Sequence, residues 1–258
     1  MTKSNHALVT GATSGIGYSL ARRLVDLGYR VSVNGLIPAE EMDDFLLSFG
    51  DRERVRFAEA DLQDVDAITT MMAQAKAEFG PVSVLVNNAG IQHVSPIEDF
   101  PPAKWDAILA INLSSAFHTT RLATPDMKEM GWGRIINLAS AHSLVASPYK
   151  TAYVAAKHGI LGLTKTVALE LAKDGITCVA ICPGYVKTPL VEKQIPDTAK
   201  ARGMTEKEVI EKVLLAAQPT GNFVTTEQLA DTMEFLLSDG AKNITGTALS
   251  VDGGWTAQ

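Results

Sequence analysis

The feature that most limits what this chain can fold into is a repeated exchange between short apolar runs and longer stretches of helical length. Runs of strand length occur at residues 7–10, 31–34, 55–58, 82–86, 134–138, 176–181 and 248–251, and helical patterns fill residues 15–27, 64–79, 105–130 and 151–173. Parallel strands need a long crossover between them, usually a helix, so this order predicts a parallel sheet with helices on both faces. That is a doubly wound α/β fold of about seven strands. No repeat, low-complexity tract or compositional break marks a linker, so residues 1–258 read as one domain. Residues 185–224 depart from the alternation: they hold helical patterns and no strand, with breaks expected at Thr188-Pro189, Ile195-Pro196 and Gln218-Pro219. A helical excursion over strand ends is either a substrate lid or a fixed decoration, and the sequence leaves both open.

Charge and composition narrow the partners. The chain carries a net charge of −6 with no cluster of Lys or Arg, which argues against nucleic acid or an anionic membrane surface, since both need a concentrated positive field. Residues 1–10 lack a leader-like apolar stretch, and no apolar run of about 18 residues occurs, so a soluble cytoplasmic protein is expected. Cys178 and Cys182 lie in a β-branched run that reads as a buried strand. Four residues of strand separate them by roughly 13 Å, too far for a disulfide. With no further Cys or His at ligand spacing beside them, core packing is expected there and a metal site is not.

Two motifs carry chemistry. The first predicted strand runs into Gly11-Ala12-Thr13-Ser14-Gly15-Ile16-Gly17 and then into a helical segment. Glycines in that setting let the backbone approach a pyrophosphate, whose charge is held by free N–H groups and the helix dipole; an ordinary strand-to-helix turn is the plain alternative. Further on, Tyr153 and Lys157 stand at i and i+4 on one helical face. A phenol titrates near 10, and a fixed ammonium beside it favours the phenolate, so Tyr153 is expected to shift toward neutrality and act as a base. Tyr and Lys four apart are common by chance. The pair gains weight from Ser140, placed to end the strand at 134–138 and face the same cleft.

The glycine spacing, Asn87-Asn88-Ala89-Gly90, Asn112, Ser140, Tyr153, Lys157 and Pro183-Gly184 together resemble the short-chain dehydrogenase/reductase family over essentially the whole chain. The resemblance implies a Rossmann-type fold and hydride transfer between a substrate carbon and nicotinamide C4. It gives Lys157 a second role on the nicotinamide ribose and gives Asn112 a water in a proton relay; a helix-interior polar group is the plain reading of Asn112. It also places Asn88, Ala89, Gly90, Pro183, Gly184, Val186 and Thr188 against the cofactor, and Asp61-Leu62 at the adenine. Asp61 reads equally well as a helix cap. At the expected adenosine ribose stand Asn34-Gly35-Leu36, and neither there nor at Ser14 is there an Arg or Lys for a 2′-phosphate. NAD is therefore favoured over NADP by elimination, with Asn34 as a ribose partner.

Near the catalytic set lie Gln92, His142, Lys150 and Gln194: one cation, a histidine and two amides, able to converge on a small carboxylate. Taken singly, Lys150 reads as a solvated residue at a helix start and Gln194 as lid surface. Longer stretches, among them residues 88–93, 97–100, 104–110, 139–142, 188–194 and 251–255, resemble the branch of the family that acts on short 3-hydroxy acids. That branch implies NAD-dependent interconversion of (R)-3-hydroxybutyrate and acetoacetate, a homotetramer, the acid held by Gln92, Ser140, His142, Lys150, Tyr153 and Gln194, and Trp255 close by. Tyr185 departs from it, since these relatives usually carry Trp after Pro-Gly, which places chain-length preference in question. A relative acting on a longer 3-hydroxy acid or a 3-oxoacyl thioester is the rival enzyme. A nucleotide-sensing binding protein is the rival of another class.

Overall fold

The computed structural model describes residues 4–257; residues 1–3 of the amino-terminal segment, and residue 258, lie outside the described residues. Its strands are β1 (His6–Val9), β2 (Arg30–Gly35), β3 (Val55–Glu59), β4 (Val84–Asn87), β5 (Gly133–Leu138), β6 (Ile176–Pro183) and β7 (Ala248–Val251). They form one parallel sheet in the order β3-β2-β1-β4-β5-β6-β7. The helices are α1 (Gly15–Asp26), α2 (Met42–Leu47), α3 (Val65–Phe79), α4 (Pro102–Leu109), α5 (Ser115–Met130), α6 (Thr151–Leu171), α7 (Pro189–Arg202), α8 (Glu206–Val209) and α9 (Thr226–Leu237). None of the described helices is long and apolar enough to cross a membrane.

Successive strand residues point to opposite faces, and both faces here are covered, which explains why the strands read as continuous apolar runs. Val9, Val33, Val86, Ile136 and Ile181 pack against α1, α2 and α9 through Leu20, Leu24, Leu46 and Met233. Their neighbours Leu8, Leu85, Ile135 and Cys178 pack on the other side against Ile68, Met71, Met127 and Leu171 of α3, α5 and α6. Cys178 and Cys182 are both buried and free.

Strand order reverses between β1 and β4, because the chain first winds outward through β2 and β3 and then returns. In an open α/β sheet the crevice beyond the carboxyl ends of two such strands is where ligands lodge. The Gly11 turn and the Asn88-Ala89-Gly90 segment leave the sheet at this crevice.

Two local readings are corrected. The helix expected over 105–130 begins at Pro102 and is interrupted by a widened π turn at Ala110–Ser114, which contains Asn112. The inserted residue breaks the regular hydrogen-bond ladder, a feature that periodicity cannot reveal. Pro196 does not end a helix either: α7 runs through it, since Val191, Ile195 and Ala199 pack on Val209, Leu214 and Tyr185 and offset the missing N–H. The 185–224 excursion is pinched at its base by a parallel bridge between Val186 and Val224, with the Val224 N–H donating to the Tyr185 carbonyl at 2.9 Å.

Behind the crevice a buried polar ladder ties the sheet to α5 and α6. Asn87 Nδ2 donates to Asn137 Oδ1 at 2.9 Å, Asn137 Nδ2 donates to Thr164 Oγ1 at 2.9 Å, and Thr119 Oγ1 donates to Asn87 Oδ1 at 2.7 Å. Each amide depends on the next, so removing one leaves buried donors unpaired. Asn137→Leu, which keeps the branched shape but removes the polar atoms, should therefore cost about 1–3 kcal/mol and lower the thermal midpoint by several degrees. A thermal denaturation curve unchanged from the native protein would show the ladder to be energetically idle.

Candidate active site

The crevice is held open by a reciprocal set of hydrogen bonds. Thr10 Oγ1 accepts from the N–H groups of Asn88 and Ala89 at 3.0 and 3.1 Å, while Asn88 Nδ2 donates to the Thr10 and Gly11 carbonyls, each at 2.9 Å. Glycine is required at two points. Gly11 takes φ +62°, and a Cβ there would sit 2.8 Å from Ala89 Cα; a Cβ on Gly17 would fall on the Gly11 carbonyl and the Asn88 amide. Ser14 occupies the N-cap of α1 without a side-chain capping bond, and no acidic residue lies in the first turn. The N–H groups at the start of this helix are thus left for an external anion.

A groove of about 360 Å³ runs along this crevice, lined by Gly11, Thr13, Ser14, Gly15, Ile16, Gly17, Asn34, Asp61, Leu62, Asn88, Ala89 and Gly90, and at its inner end by Tyr153, Lys157, Pro183 and Thr188. Its shape and lining suit a dinucleotide, with its pyrophosphate at the glycine turn. Asn34 forms part of the wall, but its Nδ2 is spent on the Ala58 and Ala60 carbonyls at 2.9 and 3.2 Å and its Oδ1 faces the Gly11 N–H at 3.5 Å. Asn34 is thus a buried brace joining β2 and β3 to the glycine turn. Capping of α3 belongs to Asp64, which accepts from Asp66 and Ala67 N–H; Asp61 stays exposed at the groove, its carboxylate accepting from the Gln63 N–H. Lys157, at the inner end, is the one cationic side chain among the described residues lining the groove.

Ser140 leaves β5, while Tyr153 and Lys157 lie one turn apart on α6, and a Tyr153–Ser140 side-chain hydrogen bond joins strand end to helix. Burial pushes the Tyr153 phenol above its ordinary value, and the Ser140 bond only partly opposes this. The expected downward shift is therefore not seen. Lys157 does not supply it because its Nζ stands 5.6 Å from the ring centre, donates to the Leu138 carbonyl at 2.6 Å, and is itself lowered to about 8 by burial. Asn112 is held in place by its own side chain. Its Oδ1 accepts from the Ile91 N–H and its Nδ2 donates to the Ile91 carbonyl, both at 2.9 Å, so the amide pins the segment after β4.

A second cavity, of about 80 Å³, opens beside the groove and shares Ile16, Ala139, Tyr153, Pro183 and Thr188 with it. Gln92, Ser140, His142, Lys150, Tyr185, Gln194 and Trp255 all line it. Gly184 and Val186, expected against the cofactor, line this smaller cavity instead of the groove. Lys150 is not solvated: it is 6% exposed, and its Nζ donates to Tyr185 Oη at 3.4 Å. Burial and the charge of Arg202 lower it to about 8. The preceding residue, Tyr149, takes φ +70°, a conformation that costs energy for a non-glycine residue and reverses the chain just before Lys150 enters the helix. Gln92 Nε2 is buried without a hydrogen-bond partner among the described residues. His142 is held at both nitrogens, Nδ1 by Ser140 Oγ at 3.4 Å and Nε2 by Ser147 Oγ at 2.9 Å, and burial lowers it to about 3. It lines the cavity in its neutral form.

The site also uses residues that sequence reasoning missed. Thr10, adjoining the glycine turn, carried a positional signal. Ser147 and Gln218 carried none, because their roles exist only across the fold: Ser147 orients His142, and Gln218 Oε1 accepts from the Tyr185 N–H.

Known proteins place this geometry. The family model described as short chain dehydrogenase matches residues 5–199. The D-beta-hydroxybutyrate dehydrogenase of Rhizobium meliloti is 56% identical over 263 residues, covering 100% of both chains. That of Cupriavidus necator is 50% identical over 258 residues with the same coverage. Among solved structures, an actinorhodin polyketide ketoreductase with NADPH superposes with a TM-score of 0.92 at 34% identity, covering 99% of this chain and 98% of that one. The groove, the Ser140, Tyr153 and Lys157 set and these similarities agree: the chain belongs to the short-chain dehydrogenase family.

Proposed function

We propose that this chain is an NAD-dependent dehydrogenase interconverting (R)-3-hydroxybutyrate and acetoacetate. The observation that carries the reading is the small cavity beside the groove, in which a buried lysine stands without a carboxylate partner among the described residues and a buried amide has no hydrogen bond. A buried cation and an orphaned donor are both costly unless a ligand completes them, and a short acid with one carboxylate does so. The names of the relatives at 56% and 50% identity support this choice. The groove end formed by Asn34, Gly35 and Leu36 offers no cation for a 2′-phosphate, which favours NAD over the NADPH held by the ketoreductase neighbour. An assembly of four subunits fits the exposed Phe117 on α5 and Leu169 on α6, the latter 82% exposed.

In this site Lys150 and Gln92 anchor the acid, and the 3-hydroxyl comes to Ser140 and Tyr153. NAD, held by the residues of the groove, would supply the hydride acceptor. Ser140 donates to the reacting oxygen while Tyr153, in its phenolate form, takes the proton. Lys157 keeps a positive charge behind the phenol, and reduction runs the same steps in reverse. Residues 185–224 close one side of the cavity through Tyr185 and Gln194, which supports reading them as a lid.

Following NADH absorbance should show oxidation of (R)-3-hydroxybutyrate with NAD and little with the (S)-enantiomer or with NADP; a preference for longer 3-hydroxy acids or thioesters would overturn the substrate assignment. Tyr153→Phe should lower turnover by at least about a hundredfold with NAD binding intact, and single-turnover rates equal to the native enzyme would remove Tyr153 from the chemistry. Lys150→Met should raise KM for the acid about tenfold or more with a smaller change in kcat. Because burial lowers Lys150 to about 8, its ammonium is present below that pH and lost above it. Affinity for the acid should then fall as pH rises through about 8 in the native enzyme and stay flat in Lys150→Met. A native profile as flat as the variant's would show that Lys150 is not the anchor.

A further inference from the structure

Tyr185 is held more firmly than a cavity wall needs to be. Its ring stacks on Trp255 with centres 4.9 Å apart and planes at 16°, and His142 meets it edge-on at 6.3 Å. Its N–H donates to Gln218 and its carbonyl accepts from Val224, so both backbone and ring are fixed at the base of the 185–224 excursion. The hydroxyl ends beside Lys150 Nζ at 3.4 Å, whereas the ring centre is 5.2 Å from that ammonium. The contact is thus to oxygen. An oxygen that accepts from an ammonium has its own O–H left to donate, and Tyr185 lines the same cavity as Gln92 and Lys150.

We propose that the Tyr185 hydroxyl is a binding and specificity residue: it accepts from Lys150 and donates its own proton to the carboxylate of the substrate, coupling the buried cation to the acid. The inference rests on the reading of this cavity as a carboxylate site. Burial pushes the phenol up to about 12, so it keeps the proton it would donate. A tryptophan at this position could stack on Trp255 equally well, but its indole has only a donor and leaves the Lys150 ammonium without its acceptor. Tyrosine therefore makes the anion hold a linked pair of hydrogen bonds, at the cost of a hydroxyl that a longer apolar chain would have to pass.

Titration calorimetry on the NADH-loaded protein tests this with two probes of matching length, butyrate and its neutral counterpart butyramide, so that the result does not depend on turnover. Tyr185→Phe keeps the stacked ring, and its thermal midpoint serves as the folding control. Butyrate affinity should fall about tenfold in Tyr185→Phe, and butyramide affinity should fall less, because hydrogen bonds to the charged oxygen are the stronger ones. Tyr185→Trp should show the same loss of butyrate-over-butyramide preference. Lys150→Met separates the two levels of the argument. If it leaves butyrate binding unchanged, the carboxylate reading of the cavity fails. If it abolishes that binding while Tyr185→Phe retains the native ratio of the two probes, the cavity reading stands and the role of the Tyr185 hydroxyl is overturned. Equal weakening of both probes in Tyr185→Phe would reduce Tyr185 to a packing role.

Discussion

The structure turns on the stitch between Thr10 and Asn88. Two strands that are adjacent in space but separated by more than seventy residues in sequence, β1 and β4, must end with their loops at a fixed spacing if a groove is to exist between them. Side chain and backbone trade hydrogen bonds in both directions, so neither loop can shift without unpairing groups on the other. Gly11 and Gly17 follow from that closeness: the loops approach so nearly that a Cβ at either position would strike backbone. Once the loops are fixed, the start of α1 points its unpaired N–H groups into the groove, and an anion-binding end is present before any ligand arrives.

At the other end of the groove the controlling term is desolvation. Lys150, Lys157, Tyr153 and His142 all lie where burial works against the charged form, and for each it is the largest influence. The protein tolerates two buried lysines because each has a specific acceptor, the Leu138 carbonyl for Lys157 and the Tyr185 hydroxyl for Lys150. The two acceptors differ in kind. A carbonyl can only receive, so Lys157 is anchored; a hydroxyl can pass a hydrogen bond onward, so Lys150 is connected to whatever enters the cavity. His142 takes the opposite course and remains neutral, with Ser140 and Ser147 occupying its two nitrogens.

Most of the fold was legible because its signals are local. Seven apolar runs, each facing two cores, and helices of adequate length between them leave few alternatives to a parallel doubly wound sheet. The positions of Ser140, Tyr153 and Lys157 were legible for the same reason, since strand end and helix periodicity place them without knowledge of distant contacts. What escaped was decided by partners far away in sequence. The place of Asn34 at the end of β2 is visible in the sequence, whereas its bonds to Ala58 and Ala60 are not. Asn112 sits on a π turn whose inserted residue leaves no mark in the apolar pattern, and its amide is spent on Ile91. The electrostatics of Tyr153 were misjudged because spacing gives the distance to Lys157 but says nothing of the depth of burial that outweighs it.

Substrate choice in such a fold comes from the elements that cap the strand ends, not from the reacting centre. Here the base of the excursion, closed by the Val186 and Val224 bridge and by Gln218, delivers Tyr185 to a place set by Trp255 near the carboxyl terminus. Of the residues that β6, the excursion and the last turn of the chain bring to the small cavity, Tyr185, Gln194 and Trp255 do not line the groove. That separation has a physical consequence. Changes in the cavity wall can alter which acid fits while leaving the Thr10 and Asn88 stitch, and with it the dinucleotide groove, unchanged. Of the residues shared by both cavities, Tyr153 is the one that carries the proton chemistry. Any substrate admitted must bring its reacting oxygen there, so cavity volume on the far side, about 80 Å³ bounded by Lys150 and Tyr185, is what sets the length of the acid beyond that oxygen.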